Sequence, residues 1–304
     1  MIETENLTKK FGDVTAVEGL TLRVGEGEVF GFLGPNGAGK TTTVRMLTCL
    51  ISKTSGDASI DGHNIGKGSE AQEVRKIIGL LPESVGMYDD LSAYKNLDYY
   101  GRLYECTEAQ RRERIERFLR MLGLWDKKDM AVGTFSKGMR QKVAIARALI
   151  HEPKVVFLDE PTANLDPESS KTIREFILEL KREKRTVFLN THNLDEAQRV
   201  CDRVGILKGR LLAVGPLEVL RGSLWPRKTV VQLERVSDPV VAAVKKLGPA
   251  NMEASGDTLL IDVTDPEKEN PEIINAVVAA GGRILYVTES SPTLEDVYLK
   301  LVRN

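Results

Sequence analysis

The chain lacks the long apolar runs that membrane-spanning helices require. None of its hydrophobic stretches approaches the ~18–20 residues of a transmembrane helix. The first five residues include two glutamates and no basic residue, so they do not resemble a signal peptide. We therefore expect a cytoplasmic protein, and any role at a membrane would require another chain that crosses it.

The chain is also poor in cysteine and has no excess of basic charge. Cys49, Cys106 and Cys201 are far apart and form no Cys-x-x-Cys pair, which argues against a disulfide framework and against a metal cluster. The 43 basic and 44 acidic residues give a net charge of −1, so nucleic acid is not expected as the main partner. No internal repeat or sustained heptad pattern is present in the 304 residues.

A glycine-rich loop follows an apolar run at 29–33 and precedes a helical pattern at 41–50, which is the strand-loop-helix context of a phosphate-binding motif. Its residues are Gly34, Pro35, Asn36, Gly37, Ala38, Gly39, Lys40, Thr41 and Thr42. In such a loop successive backbone N–H groups converge on the phosphates, Lys40 contacts the β- and γ-phosphates, and Thr41 binds Mg²⁺. The alternative is a glycine-rich turn that binds nothing.

Two carboxylates come directly after the short apolar run at 155–158, which predicts a strand buried on both faces of a parallel sheet. Asp159 and Glu160 then lie at the edge of the sheet where open α/β proteins bind ligands. Asp159 suits a magnesium ligand, and Glu160 suits a general base that polarises the attacking water. Two solvated acidic residues that end a strand are the alternative.

A second buried strand, predicted at 186–190, delivers Thr191 and His192 to the same edge. A single histidine is more often a structural residue than a catalytic one. Because His192 ends a strand directed at the phosphates, we predict that it contacts the γ-phosphate.

These motifs, together with a Ser-Lys-Gly-Met-Arg-Gln segment at 136–141, resemble those of the ATP-binding subunits of ABC transporters. The resemblance covers about residues 1–220, with the motifs in family order. It implies an α/β fold with a P-loop NTPase (RecA-like) core, an antiparallel β subdomain and a helical subdomain at about 88–150. It also implies ATP and Mg²⁺ as cofactors and a sandwich of two subunits.

The resemblance assigns further residues to the nucleotide site. Ser136 and Gly138, at the start of a helix predicted at 142–149, would face the γ-phosphate of ATP held by the opposite subunit, and Asp166 would lie beside that nucleotide. Phe11 would stack on adenine, although a core or edge-strand phenylalanine is an equal alternative. Ser136 acting only as a helix N-cap is the alternative for that segment.

Three positions depart from the family pattern. Lys137 adds a cation near the phosphates, and Met139 cannot supply the hydrogen bonds of the usual glutamine. Glu83 stands where the family has a glutamine that links Mg²⁺ to the membrane partner. An ionised Glu83 could still ligate the cation but cannot donate a hydrogen bond.

The residues from about 91 to 124 have helical periodicity. Ile115, Phe118, Leu119 and Leu122 share one face, which predicts packing against the core. Three i,i+4 pairs are expected on the other face: Glu108/Arg112, Glu113/Arg117 and Glu116/Arg120. In the family this subdomain meets the membrane subunit, with residues 83–96 as the contact segment.

Residues 222–228 are interpreted as a linker between an ATP-binding domain at 1–222 and a small α/β domain at 228–304. Strands are expected at 229–236, 258–263 and 283–288, and helices at 239–247, 271–280 and 293–302. The segment at 292–299, Pro-Thr-Leu-Glu-Asp-Val-Tyr-Leu, resembles the ends of ATPases that drive drug or antibiotic efflux.

The sequence thus predicts an ATPase that powers export of a solute through a separate permease. It would lie on the inner face of the cell membrane, paired with a second ATP-binding subunit in a homodimer. A soluble ATPase acting in regulation, on ribosomes or on DNA, without transport, is the alternative.

Overall fold

The computed structural model describes residues 1–224, 227–290 and 293–303. They divide into two compact units, Met1–Pro216 and Leu217–Arg303. The predicted linker residues Trp225 and Pro226 lie outside the described residues.

A six-stranded sheet forms the centre of the first unit, with the order β10-β9-β3-β8-β7-β6. Its strands are β3 (Val29–Leu33), β6 (Ile78–Leu81), β7 (Val155–Asp159), β8 (Thr186–Thr191), β9 (Arg203–Lys208) and β10 (Arg210–Gly215). Five of them are parallel, and β10 is antiparallel to β9. Every residue of β3 and β7 is buried in it, as expected for parallel strands covered on both faces.

A smaller antiparallel sheet has the order β2-β1-β4-β5. In the sequence, two of its strands come before β3 and two come between β3 and β6. It comprises β1 (Ile2–Phe11), β2 (Val14–Val24), β4 (Ser55–Ile60) and β5 (His63–Asn64). Leu20, Leu22 and Val24 of β2 are buried, because the period-2 pattern places them on one face.

Seven helices of 7 to 16 residues belong to the first unit: α1 (Lys40–Leu47), α2 (Gly68–Ile77), α3 (Ala93–Leu103), α4 (Glu108–Met121), α5 (Lys137–Leu149), α6 (Pro167–Arg182) and α7 (Leu194–Val200). The helical pattern at 91–124 is two helices, α3 and α4. Glu105, with φ +57°, lies between them, and Thr107 starts α4 with a capping box to Gln110.

Helix α5 begins five residues before the predicted start at 142. Ser136 caps it, because the Ser136 hydroxyl accepts a hydrogen bond from the Met139 amide at 3.3 Å. The Ser-Lys-Gly-Met segment is therefore the first turn of the helix itself.

Alternate residues of the central strands pack into two different hydrophobic cores, one on each face of the sheet. In β7, Val156 and Leu158 pack with α4 residues such as Phe118, whereas Val155 and Phe157 pack towards the antiparallel sheet. The second core contains a cluster of tilted rings: Phe30, Phe32, Phe157 and Phe188. The central sheet thus separates the helical subdomain from the β subdomain.

The described residues of the second unit form an antiparallel sheet in the order β12-β13-β11-β14 and four helices. The strands are β11 (Arg227–Leu233), β12 (Met252–Ser255), β13 (Thr258–Val263) and β14 (Ile284–Ser290), and the helices are α8 (Leu217–Leu224), α9 (Asp238–Lys245), α10 (Pro266–Ala279) and α11 (Leu294–Arg303). One core joins the sheet to α9 and α10 through residues such as Val231, Val244 and Val277.

Two sequence predictions for this unit are corrected, and one strand was missed. Residues 222–224 are helical rather than linker, because α8 continues to Leu224, and β11 begins at Arg227. Helix α10 starts at Pro266, a proline in the first turn where its missing N–H has no cost, and it contains the predicted start Pro271 in its interior. Strand β12 was not predicted, since its four residues show little alternation.

Candidate active site

The phosphate-binding loop joins β3 to α1 at the carboxyl edge of the central sheet, as predicted. Gly39 has φ +98°, and a Cβ there would lie 2.3 Å from the carbonyl oxygen of Ala16. A Cβ on Gly34 would lie 2.4 Å from the carbonyl oxygen of Leu207. Both distances are prohibitive, so only glycine allows the loop to approach its neighbours this closely.

Lys40 lies inside the loop and is 7% exposed. Its Nζ atom donates to the carbonyl oxygens of Gly34 at 2.8 Å and Pro35 at 3.2 Å. Burial lowers the pKa of the ammonium, while the carboxylates of Glu160, Asp159 and Glu83 act in the opposite direction. A cation held among backbone oxygens in this way is positioned to meet phosphate oxygens at the mouth of the loop.

Asp159 ends β7 and is 3% exposed. Asn190 of β8 donates to its Oδ1 atom. Burial raises the pKa of the Asp159 carboxyl, and hydrogen bonds from Asn190 and Thr41 oppose that rise. Asn190 and Thr41 thus orient the Asp159 carboxyl beside the phosphate-binding loop.

Glu160 has an unusual backbone, with φ +49°, and its amide donates to the carbonyl oxygen of Asn190 at 2.8 Å. The turn directs its side chain to the end of the next strand. There its Oε1 atom lies 2.7 Å from Nδ1 of His192, and its Oε2 atom accepts from the Thr191 hydroxyl at 3.4 Å. His192 itself is 59% exposed, so the pair faces solvent at the edge of the site.

A cavity of about 330 Å³ brings most of the predicted residues together. Its lining residues are Ala16, Asn36, Gly37, Ala38, Gly39, Lys40, Thr41, Thr42, Glu83, Asp159, Glu160 and Asn190. Thr41, Asp159 and Glu83 contribute hydroxyl and carboxylate oxygens, the donor set that Mg²⁺ prefers. The residues present therefore fit a magnesium site beside the phosphate loop.

Ser136, Gly138 and Asp166 form a separate cluster that does not line this cavity. A Cβ on Gly138 would meet Ser169 Oγ at 2.4 Å and Asp166 Oδ2 at 3.3 Å. Asp166 caps α6 by accepting from the Ser169 amide at 2.7 Å, and that hydrogen bond lowers the pKa of the carboxyl. The first turns of α5 and α6 thus meet at one surface of the unit.

Phe11 ends β1 and is 52% exposed. The ammonium of Lys9 lies 4.8 Å from the centroid of its ring. Phe11 is therefore not a core residue, and its ring is available to a planar ligand.

Three polar residues support the site: Thr191, which was predicted to lie at this edge, and Asn190 and Glu196, which were not predicted as site residues. Asn190 orients Asp159, and Thr191 contacts both Glu160 and Glu196 Oε2, the latter at 3.2 Å. Glu196 is 2% exposed, and burial raises the pKa of its carboxyl. Their position in the sequence could have identified them, because polar residues that end a buried strand or begin the following helix lie at the ligand-binding edge of the sheet.

A family model described as "ABC transporter" matches residues 17–163. The chain is 32% identical to the linearmycin resistance ATP-binding protein LnrL of Bacillus subtilis, over 99% of this chain and 98% of that protein. It is 36% identical to the bacitracin transport ATP-binding protein BcrA of Bacillus licheniformis, over 99% and 97% of the two chains. The chain belongs to the ABC transporter ATP-binding family.

Solved structures of ABC ATPases share the fold of the first unit. An ATP-binding subunit of an ABC transporter matches with a TM-score of 0.67 and 32% identity, over 73% of this chain and 92% of that one. A dimeric ATP-binding cassette bound to ADP and Pi in a post-hydrolysis state matches with a TM-score of 0.65 and 28% identity, over 71% and 99%. The predicted fold class is thereby confirmed, and this ABC protein is an ATP-binding ATPase of a transporter.

No helix among the described residues has both the length and the apolar character needed to cross a bilayer.

Proposed function

We propose that this ABC ATPase drives export of a solute through a separate integral membrane permease. Two copies would form an ATP sandwich on the inner face of the cell membrane. Support comes from relatives that span nearly the whole chain and whose names refer to linearmycin resistance, bacitracin transport and Nod factor export. The alternative of a regulatory, ribosomal or DNA-associated ATPase has no support among these relatives.

Glu160 is the general base in this proposal. The observation that carries it is the 2.7 Å contact between Glu160 Oε1 and His192 Nδ1 at the lip of the cavity that contains the phosphate loop. His192 and Thr191 hold the carboxylate in one orientation, so that it can accept a proton from a water next to the γ-phosphate. His192, at the exposed edge, then contacts the γ-phosphate itself.

The loop at 34–42 binds the phosphates, and Lys40 neutralises charge on the β- and γ-phosphates. Thr41, Asp159 and Glu83 would hold Mg²⁺, which when bound offsets the charge that develops on the transferred phosphoryl group. Phe11 supplies an exposed ring for adenine. Its stacking needs only a π-face, so phenylalanine is sufficient.

The cluster of Ser136, Gly138 and Asp166 would complete the site of the second subunit. The first turn of α5 exposes backbone N–H groups and the positive end of the helix, which together favour an anion. Since this cluster does not line the cavity of its own chain, it serves a nucleotide only when two subunits meet face to face.

An aromatic surface formed by Tyr88 and Tyr99 is the proposed contact for the permease. Tyr88 and Tyr99 are 48% and 40% exposed, with ring centroids 5.2 Å apart. Met87 lies next to them, and a cavity of about 330 Å³ lined in part by Pro82 and Tyr100 opens nearby. Aromatic and methionine side chains of this kind suit a short helix of a partner protein.

The test is Glu160→Gln. The amide keeps the shape of the side chain but cannot act as a base, so ATP turnover should fall by roughly 10²-fold or more while ATP binding is retained. The variant should then accumulate as an ATP-bound dimer, detectable by size-exclusion chromatography with light scattering. Glu175→Gln, in an exposed pair with Lys171 on α6, is the matched control and should leave turnover unchanged. Normal turnover in Glu160→Gln would refute the assignment.

A further inference from the structure

Glu196, in the first turn of α7, is a buried carboxyl close to the proposed general base. It is 2% exposed, and no basic side chain forms an ion pair with it within the described residues. Its Oε1 atom is buried and has no hydrogen-bond partner in the part of the chain that the structure describes. An ionised carboxylate is costly in such a place, because neither a cation nor a full set of hydrogen bonds compensates its charge.

The ordinary structural role of a glutamate at this position of a helix is a capping box, in which its carboxylate accepts from the amide of the N-cap residue. Asn193 does cap α7, since its Oδ1 atom accepts from the Glu196 amide at 3.0 Å. The Asn193 amide, however, donates to the Thr191 hydroxyl at 3.0 Å. The side chain of Glu196 therefore does not cap its own helix but contacts the end of β8.

The Thr191 hydroxyl lies between two carboxyl groups. Its Oγ1 atom is 3.2 Å from Glu196 Oε2 and 3.4 Å from Glu160 Oε2. A hydroxyl has one proton to donate and two lone pairs that accept. It can therefore donate to only one of the two carboxyl groups, and the other contact is a hydrogen bond only if that carboxyl supplies the proton. A neutral Glu196 satisfies the hydroxyl completely: Thr191 donates to Glu160 and accepts from Glu196 and from the Asn193 amide.

The charges around Glu196 are unequal in their effects. Burial raises the pKa of the Glu196 carboxyl, and the negative charge of Glu160 acts in the same direction. The hydroxyls that face the carboxyl and the guanidinium of Arg174 on α6 act in the opposite direction. Cys201, after the end of α7, adds no charge, because burial raises the pKa of its thiol as well.

We propose that Glu196 carries a proton and acts, through Thr191, as a positioning residue for Glu160. Neutral Glu196 donates to Thr191, which directs its own proton to Oε2 of Glu160, while His192 holds Oε1. The proton stays on Glu196, so this chain of hydrogen bonds orients the base and transfers nothing. When Glu196 is ionised, the Thr191 hydroxyl turns to the nearer carboxylate, and Glu160 loses one of its two contacts. The inference rests on the proposed role of Glu160 as general base.

The proton itself can be observed by infrared difference spectroscopy of the full chain. The spectrum of the wild type should contain the carbonyl band of a carboxylic acid at about pH 6.5, where an ordinary glutamate, with a pKa of 4.5, is ionised. Glu196→Gln should lack this band, and in the wild type the band should disappear as the pH is raised further. No nucleotide is needed for this measurement.

The positioning role is tested by the pH dependence of ATP hydrolysis. The wild-type kcat should fall about fivefold as the pH rises through the pKa of Glu196, with little change in KM, because orientation of the base affects the transition state more than ATP binding. Glu196→Gln has an N–H donor in place of the O–H at every pH, so this fall should be absent. Asp195→Asn, at the exposed neighbouring position, is the matched control and should keep the wild-type profile.

Thr191→Val tests the connection between the two carboxyl groups. It should lower kcat at every pH and remove the fall that depends on Glu196, and adding Glu196→Gln to it should have no further effect. A cooperative thermal melt shows that each variant is folded.

Three results would overturn the proposal: no carboxylic acid band that depends on Glu196, the same pH profile in the wild type and in Glu196→Gln, or an undiminished effect of Glu196→Gln in the Thr191→Val background. Failure of the general-base assignment is distinguishable, since it would appear as normal turnover in Glu160→Gln while the infrared band remained. That result would remove the positioning role of Glu196 together with the assignment.

Discussion

His151 is a residue whose ionisation the fold opposes. Its Nε2 atom lies 2.8 Å from the carbonyl oxygen of Ile78, and its ring stacks on Tyr104 with centroids 3.8 Å apart. Burial lowers its pKa from 6.5 to about 4, and nearby Arg114 and Arg185 act in the same direction.

This lowered pKa predicts acid sensitivity. The folded protein favours neutral imidazole, so the stabilisation is present above the ordinary pKa of 6.5 and is lost as the pH falls towards 4. The loss attributable to His151 between pH 7 and pH 4 is about 3 kcal/mol, because folding lowers its pKa from 6.5 to about 4. Urea denaturation of the wild type and of His151→Gln at both pH values measures it. Parallel pH dependences of the two proteins would contradict the expectation.

At the scale of elements, a network of charged residues joins α4 to the loops around the central sheet. Arg117 of α4 was predicted to pair with Glu113, but it contacts Glu152 at 2.9 Å and also Glu183. Arg114 and Arg185 contact Glu152 as well, at 3.2 and 3.4 Å. Glu116 and Arg120 form their predicted pair, at 2.7 Å on the solvent face.

Glu152 is the centre of this network, so we expect Glu152→Gln to destabilise the protein by about 1–3 kcal/mol, because three guanidinium groups lose a common partner. Its left-handed backbone, φ +56°, is unaffected by this change of side chain. The control is Glu179→Gln, in an exposed pair with Arg182, which should change stability by less than about 0.5 kcal/mol. Chemical denaturation compares the two, and equal small effects would show that the network contributes nothing.

At the scale of the whole molecule, the separation of the Ser136 cluster from the cavity of its own chain leads to a prediction about mixtures. Lys40→Ala and Ser136→Ala should each be inactive alone, and a mixture of the two should regain part of the activity, because one site of each heterodimer contains neither change. Specific activity should also rise with protein concentration in the dilute range. Both are measured by phosphate release. A mixture no more active than its components would exclude a shared site.

The division into two units leads to a further prediction. All lining residues of the cavity that contains the phosphate-binding loop lie within Met1–Pro216. A fragment ending at Pro216 should therefore bind Mg²⁺-ATP with nearly the affinity of the full chain, as measured by calorimetry. A cooperative melt establishes that the fragment is folded. A folded fragment that cannot bind ATP would mean that the second unit is part of the nucleotide site.

The amino-acid sequence by itself determined which residues lie together at the carboxyl edge of the central sheet. The phosphate loop is contiguous, and Asp159 and Glu160 follow directly after a buried strand, so chain connectivity alone carries them to the ligand-binding edge. The order of the elements and the existence of a second α/β unit could also be predicted, because hydrophobic periodicity is a local property.

Only the tertiary structure decided which distant residues meet. The parallel register of β7 and β8, with Asp159 opposite Asn190, brings the polar residues after β8 to the carboxylates. The partners of Arg117 and the burial of His151 likewise depend on how α4 and α5 pack against the sheet. Periodicity specifies which face of an element is buried, but register and packing result from contacts between residues far apart in the chain, and no local pattern encodes them.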